Sequence, residues 1–357
     1  MNTIVPYTNS HYYDARKKIV LGQDDFLPIN DTLAINKNAA PFKRMFDEGN
    51  MAIIQGIGYP NSNRSHFRGM DIWHTCEPDR VGSEGWLGLA VKDIDPSGEN
   101  VLTGVNIGQG LPRAMAVAGV PVTSISDLEG YGVMKRLEQE QLREKALKAF
   151  KDIYGQAIGS GVVAEYIGKT GLDVLRGADM LSEVAETYNS TVEYADNSIA
   201  KSLRDVARIH LSGLGTRIFY TNHGGYDTHA NEMPAHPKLI SDLSGAISDF
   251  MDDLEEHEAA DDIVILVFTE FGRRMRDNGS GTDHGSGGGA FIFGKNVKGG
   301  LYSEYPSLDP ANWEHGEDLQ HTIDFRGIYG TVLEQWLQLE AKPIVKGGFE
   351  QISPFYL

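Results

Sequence analysis

The sequence predicts an α/β protein built around a mainly parallel sheet. Compact apolar runs recur along it: "MAIIQGIG" (51–58), "TRIFYT" (216–221), "DIVILVFT" (262–269) and "GAFIFG" (289–294), each bounded by glycine or polar residues. Runs of this kind suit strands covered on both faces. Longer helical patterns separate them, and the longest leads directly into the 262–269 run. Strands that alternate with helices favour a parallel sheet.

Each helix follows from its spacing. In 234–257, Leu239, Leu243, Ile247, Phe250 and Leu254 fall three to four residues apart, placing them on one face. The segment 133–155 is charged and helical, and 197–213 is amphipathic. The stretch 128–195 is mostly helical and reads as an insertion or cap at one end of the sheet. With no internal repeat or low-complexity tract, the expected organisation is a single domain over residues 1–357. That length suffices for a sizeable core.

Composition narrows the function classes. A formal net charge of −18 argues against nucleic-acid and anionic-membrane partners, because their phosphates would be repelled. Acidity does suit cation binding. Cys76, the single cysteine, excludes an intramolecular disulfide and a cysteine-rich zinc site. No run reaches the ~18 apolar residues of a membrane span. The N-terminal sequence has no signal-peptide core.

In open α/β sheets, ligands bind beyond the carboxyl ends of the strands. After 216–221 come His223, Asp227 and His229. After 262–269 come Glu270, Arg273, Arg274, Asp283 and His284. After 51–58 come Ser65 and His66, at a helix start. Singly, each has a plain reading. The histidines suit hydrogen-bonded loops, Asp227 and Asp283 suit turns, and Glu270 complements a helix dipole. Ser65 reads as an N-cap, and the arginines balance nearby acids. Together, imidazole and carboxylate ligands suit zinc, manganese or a related divalent ion. A hydroxyl at a helix N-terminus suits a nucleophile or an anion site.

The segments "SHFRGMDIWHT", "GWLGLAV", "NHGGYDTHAN", "TEFGRRMRDNGSGTDHGSGGGAFIFG" and "HTIDFRGIYGTVLEQWL" resemble the family called domain of unknown function 1501. That family is grouped with the alkaline phosphatase-like superfamily, whose relatives include sulfatases, phosphatases, phosphomutases and phosphodiesterases. The resemblance implies a three-layer α/β/α sandwich with a mostly parallel central sheet. It also implies metal ligands at Asp227, His229, Glu270 and His284, with Asp283 and His223 as further candidates. Glu270 stands where the superfamily pattern has an Asp-His pair. Ser65 resembles the metal-ligated nucleophile, although an ungapped comparison places His66 there. Arg64, Arg68 or Arg273 would hold the remaining ester oxygens, since a guanidinium forks onto phosphate or sulfate. Asp324 and Arg326 are expected to be structural.

In resembling proteins, an export signal and an apolar strand with a Gly-Gly-Asn-Asp-Gly-like turn precede "NTIVPY". The chain begins "MNTIVPY". The expectation is therefore a sheet lacking its first strand and a site short of one carboxylate. Family habit implies a periplasmic or secreted location. The expected function is metal-dependent hydrolysis of phosphate or sulfate esters by a serine nucleophile. Two divalent ions would serve it in the complete protein, zinc foremost, with manganese, calcium or magnesium as alternatives. The substrate would be a small-molecule or carbohydrate ester. The alternatives are an inactive exported binding protein on the same fold, or a phosphomutase.

Overall fold

The computed structural model describes residues 1–129, 140–158, 161–181, 184 and 188–356. The chain is mixed α/β, with several sheets, some parallel and some antiparallel. It divides into two compact units. One comprises Met1–Gly82, Val192–Ala200 and His223–Leu357; the other comprises Ser83–Thr191 and Lys201–Asn222. The 128–195 segment carries the helices Glu140–Ala157 and Val162–Leu181. The expected helix over 133–155 is described from residue 140 onward; residues 133–139 lie outside the described residues.

The first unit holds β1 (Ile4–Val5), β2 (Phe26–Pro28), β3 (Ala34–Asn36) and β4 (Met51–Gly58). The second holds β5 (Gly104–Ile107), β6 (Thr123–Ile125) and β7 (Ile218–Thr221). The first unit resumes with β8 (Ile265–Val267), β9 (Arg273–Asp277), β10 (Thr282–His284), β11 (Gly288–Phe293), β12 (Gly300–Tyr302) and β13 (Ile323–Asp324). In the second unit the order is β6-β5-β7, all parallel. In the first, β12-β4-β11-β8 form one sheet, with β13 also pairing with β4.

The parallel expectation holds for β12 and β13 against β4 and fails for β11, which runs antiparallel to both β4 and β8. The reason lies in the connection. A parallel return needs a crossover, usually a helix. Between β8 and β11 the chain instead makes the β9–β10 hairpin, which lets the strand return antiparallel. The four apolar runs also fall into two sheets, because β7 pairs with β5 rather than with β4, β8 or β11.

β4 matches its apolar run residue for residue, and all eight of its residues are buried. Aromatic side chains pack around it. Phe42, from the helix Ala40–Asp47, lies 5.5 Å from Phe291 and 4.9 Å from Phe293, while Trp73 stacks on Phe325 at 4.4 Å. Burying each such side chain contributes ~1.5–3 kcal/mol. By contrast, the run over 262–269 yields only three strand residues, all half-buried, at the edge of the sheet. The helix expected over 234–257 spans Glu232–Glu256 and buries Ile247, Phe250 and Leu254. Leu239 and Leu243 are half-buried, and Ile240 and Met251 complete the inward face. No described helix is long and apolar enough to cross a membrane.

Candidate functional site

Within the first unit, three short segments bring the site together. His66 is the first residue of the helix His66–Thr75, which follows β4. Gly69, one turn on, lets Glu270 lie against that helix: a Cβ there would stand 3.2 Å from Glu270 Cγ. The second segment is the loop carrying Asp227 and His229. Backbone bonds from Thr228 N to Tyr226 O and from His229 N to Asp227 O coil it tightly. The third is the β9–β10 hairpin, whose register sets His284 opposite Arg273.

The loop and the hairpin are sewn together. Thr282 N donates to Thr228 O at 3.1 Å, and Glu232 N donates to Ser280 O at 3.0 Å. The buried hydroxyls of Thr228 and Thr282 both donate to Glu232 Oε2. Gly281 permits this approach, since a Cβ there would stand 2.0 Å from Thr228 O. His229 is thereby held beside Asp283 and His284.

Each of the three imidazoles has one nitrogen facing an oxygen that can only accept. His66 Nδ1 donates to Glu270 Oε1 at 2.6 Å, His229 Nδ1 to Asp283 Oδ1 at 3.1 Å, and His284 Nδ1 to the Arg64 carbonyl at 2.6 Å. Carbonyls and ionised carboxylates have no proton to give, so each Nδ1 carries the hydrogen. In the neutral rings, all three Nε2 atoms therefore present lone pairs, and all three converge on Asp227. His66 Nε2 lies 3.1 Å from Oδ2; His229 Nε2 and His284 Nε2 lie 3.0 and 2.9 Å from Oδ1. The two latter nitrogens are 2.8 Å apart. His66 Nε2 is buried and has no hydrogen-bond partner.

Lone pairs facing a carboxylate repel unless a proton or a cation lies between them. Burial alone would raise the Asp227 pKa. The hydrogen bond from Arg273 (2.8 Å), with the His284, His66 and His229 imidazoles close by, outweighs this and holds it well below the usual carboxylate range. For His66, burial lowers the pKa, but the Glu270 hydrogen bond and the Asp227 carboxylate outweigh it and raise the value. The His229 hydrogen bond, helped by Asn278, lowers that of Asp283.

The donor set fits a cation. Four ligands around zinc at ~2.0–2.1 Å stand about 3.3 Å apart. The triangle of Asp227 Oδ1, His229 Nε2 and His284 Nε2 has sides of 2.8 to 3.0 Å, only a few tenths of an ångström shorter. Ligand atoms of His66, Asp227 and His284 also lie within 4.8 Å of one another. Imidazole nitrogens favour zinc over calcium or magnesium, which prefer all-oxygen shells. Glu270 and Asp283, expected as ligands, hold His66 and His229 through Nδ1, the usual place of a ligand's outer partner. Phe271 packs against the His66 and His284 rings, with centroids 4.9 and 4.8 Å away.

The remaining candidates lie differently. Ser65 caps the helix and is exposed; its hydroxyl makes no hydrogen bond, so His66 is the residue that joins the cluster. His223 hydrogen-bonds the Tyr226 hydroxyl at 2.9 Å, and burial lowers its pKa. Arg273 is bound to Asp227 and Thr282. Asp324 caps the helix Phe325–Thr331 and pairs with Arg326, a structural arrangement. Sequence reasoning missed Asp318, a carboxylate with 1% of its side chain exposed, whose Oδ2 lies 2.9 Å from Arg64 Nε. One aspartate in a polar loop gives no sequence signal of such burial.

The first unit is thus a mixed α/β scaffold presenting an open imidazole–carboxylate cluster. Residues 77–344 match the family model described as protein of unknown function (DUF1501), and the chain belongs to that family. The matched range includes Asp227, His229, Glu270, Arg273, Asp283 and His284; Arg64, Ser65 and His66 precede it. No curated protein and no solved structure matches the chain significantly.

Proposed function

We propose that the protein is a metal-dependent hydrolase of phosphate or sulfate esters, of the alkaline phosphatase-like kind. The convergence of three Nε2 lone pairs on the Asp227 carboxylate, each ring fixed from behind by an oxygen acceptor, carries this reading. His66, Asp227, His229 and His284 would hold the cation. Zinc suits this nitrogen-rich set best, ahead of manganese, magnesium and calcium. A divalent cation there would supply Lewis-acid polarisation of an ester oxygen and a nucleophile at neutral pH. Among the described residues, this is the one histidine–carboxylate group with the required spacing, so we assign it one cation.

The chain's own groups supply the rest. Glu270 and Asp283 keep His66 and His229 in the tautomer that leaves Nε2 free. Arg273 holds Asp227 ionised and in place. Ser65, one residue before His66, has an unengaged hydroxyl and is the candidate nucleophile. The test is a panel of aryl phosphate and aryl sulfate esters with added zinc, manganese, calcium or magnesium, run with Asp227→Ala and Ser65→Ala. Metal-dependent turnover lost in Asp227→Ala supports the reading; no turnover of any ester with any metal overturns it. A second reading, a non-catalytic binding protein on the same cluster, is favoured by the exposure of Ser65. It gains if the chain holds metal yet turns over no ester. Turnover that survives Ser65→Ala assigns the attack to water.

A further inference from the structure

Away from the site, the second unit carries a surface whose composition and exposure disagree. Its helices Glu140–Ala157 and Val162–Leu181 pack against each other through small residues. A Cβ at Gly168 would stand 2.7 Å from the Tyr154 carbonyl oxygen, and one at Gly171 would stand 2.3 Å from Tyr154 Cδ1. That side of Val162–Leu181 is buried, together with Leu175, Ala178 and Leu181. Glu165, Lys169, Asp173 and Arg176, three to four residues apart, form a charged side. Val163, Ile167, Thr170 and Val174 recur at the same spacing and form a largely apolar line, yet all four are exposed.

Ile153, Val162, Val163, Tyr166, Ile167 and Val174 are 43–89% exposed, and no described side chain of Glu140–Ala157 is buried. These six side chains offer roughly 500 Å² of apolar surface, near the upper end of the ~300–600 Å² that monomers leave uncovered. With a polar rim, that approaches the ~800 Å² per partner of a standard interface, since homodimer interfaces are ~65% apolar. Val and Ile are stiff at χ1, so fixing them against a partner loses little rotamer freedom. The Thr170 hydroxyl already donates to the Tyr166 carbonyl at 2.9 Å, so covering it strands no donor.

Charge decides which occupant fits. Residues 140–181 hold six Lys or Arg and six Asp or Glu, so the entire formal charge of −18 lies elsewhere in the chain. Two copies of so acidic a chain repel each other, and least where they meet through this neutral helix pair. The pair has no basic excess to draw an anionic membrane. We propose that a second copy of this chain covers the surface. In the resulting two-fold dimer, Val163, Ile167, Thr170 and Val174 of one protomer pack on the same four residues of its partner. The inference is independent of the hydrolase reading.

The test is sedimentation equilibrium of the full chain over a dilution series, with thermal melts to show that each variant is folded. The parent should reach twice its monomer mass at micromolar concentration. Val163→Glu and Ile167→Glu should each weaken dimerisation at least about a hundredfold, because the two-fold axis buries the new carboxylate twice without a partner. Lys169→Gln makes the same change in net charge on the charged side and should shift affinity less than about threefold. Raised salt should tighten the dimer by screening the repulsion between the acidic remainders. A second readout does not depend on losing the dimer. Thr170 lies near the middle of the line, so a two-fold axis brings it close to its twin. Thr170→Cys should therefore cross-link two chains on air oxidation, and Lys169→Cys should not. The native thiol of Cys76 is buried and does not compete. A parent that stays monomeric at every concentration overturns the proposal; if that monomer binds phosphatidylcholine vesicles, the surface belongs to a membrane. A dimer indifferent to both Glu variants, or one that salt dissociates, also overturns it, since the contact then lies elsewhere.

Discussion

Replacing Glu270 by glutamine removes the charge behind His66 and keeps an oxygen that can accept. The contact is short, 2.6 Å, and 15% of the Glu270 side chain is exposed, so solvent screens it little. A hydrogen bond to a charged group contributes ~1.5–3 kcal/mol. Loss of an outer partner of a metal-binding histidine costs ~10–100-fold in affinity. The two ranges agree, since tenfold corresponds to about 1.4 kcal/mol. Zinc affinity should therefore fall by one to two decades in Glu270→Gln. Asp283→Asn should do less, because its contact to His229 is 3.1 Å long and 46% of the Asp283 side chain is exposed. Competition titration against a chromophoric chelator reads both variants, and thermal melts in excess chelator check that the fold survives. Zinc affinity in Glu270→Gln within about threefold of the parent would refute the reasoning, as would a larger loss in Asp283→Asn, because outer-partner strength would then not govern the imidazoles.

Three further predictions concern pH, packing and the thiol. Zinc and protons compete for the imidazoles, so zinc affinity should fall on acidification. The raised His66 pKa should start that fall above the ordinary histidine value, and Glu270→Gln should shift it to lower pH. For the chelated protein the sign reverses. A histidine raised in the folded state contributes stability that is full below its unfolded pKa and lost as pH rises through the folded one. Melts in chelator should therefore show greater stability on the acid side, within the range where the carboxylates stay ionised. Gly281→Ala places a Cβ 2.0 Å from the Thr228 carbonyl. It should lower stability by ~1–3 kcal/mol, as overpacking does, and weaken zinc binding by displacing His229. Cys76 is 1% exposed and burial pushes its thiol pKa up, so iodoacetamide should label it only after unfolding, as mass spectrometry would show.

What the sequence displayed and what it hid divide along physical lines. "MAIIQGIG" is apolar on both faces because β4 is buried on both, so run and strand coincide. "DIVILVFT" is as apolar, yet composition does not reveal that only its middle pairs, at a sheet edge. Strand direction was hidden as well. The charged, glycine-rich stretch after Phe271 reads as a loop, but it folds into the β9–β10 hairpin and returns β11 antiparallel. At the site, residue types after strand ends pointed to Asp227, His229 and His284. Spacing along a chain does not say which nitrogen faces which oxygen. The roles of Glu270 and Asp283 behind the rings, the choice of His66 over Ser65 for the cluster and Asp318's place behind Arg64 therefore required the fold.

Metal analysis of the purified full chain after equilibration with zinc and exhaustive dialysis tests the central claim most directly, run beside Asp227→Ala and His284→Ala. The account predicts about one zinc per parent chain, as expected for a single His/Asp site, and little or none in either variant. A parent chain that retains no stoichiometric zinc, or variants that retain as much as the parent, would contradict it.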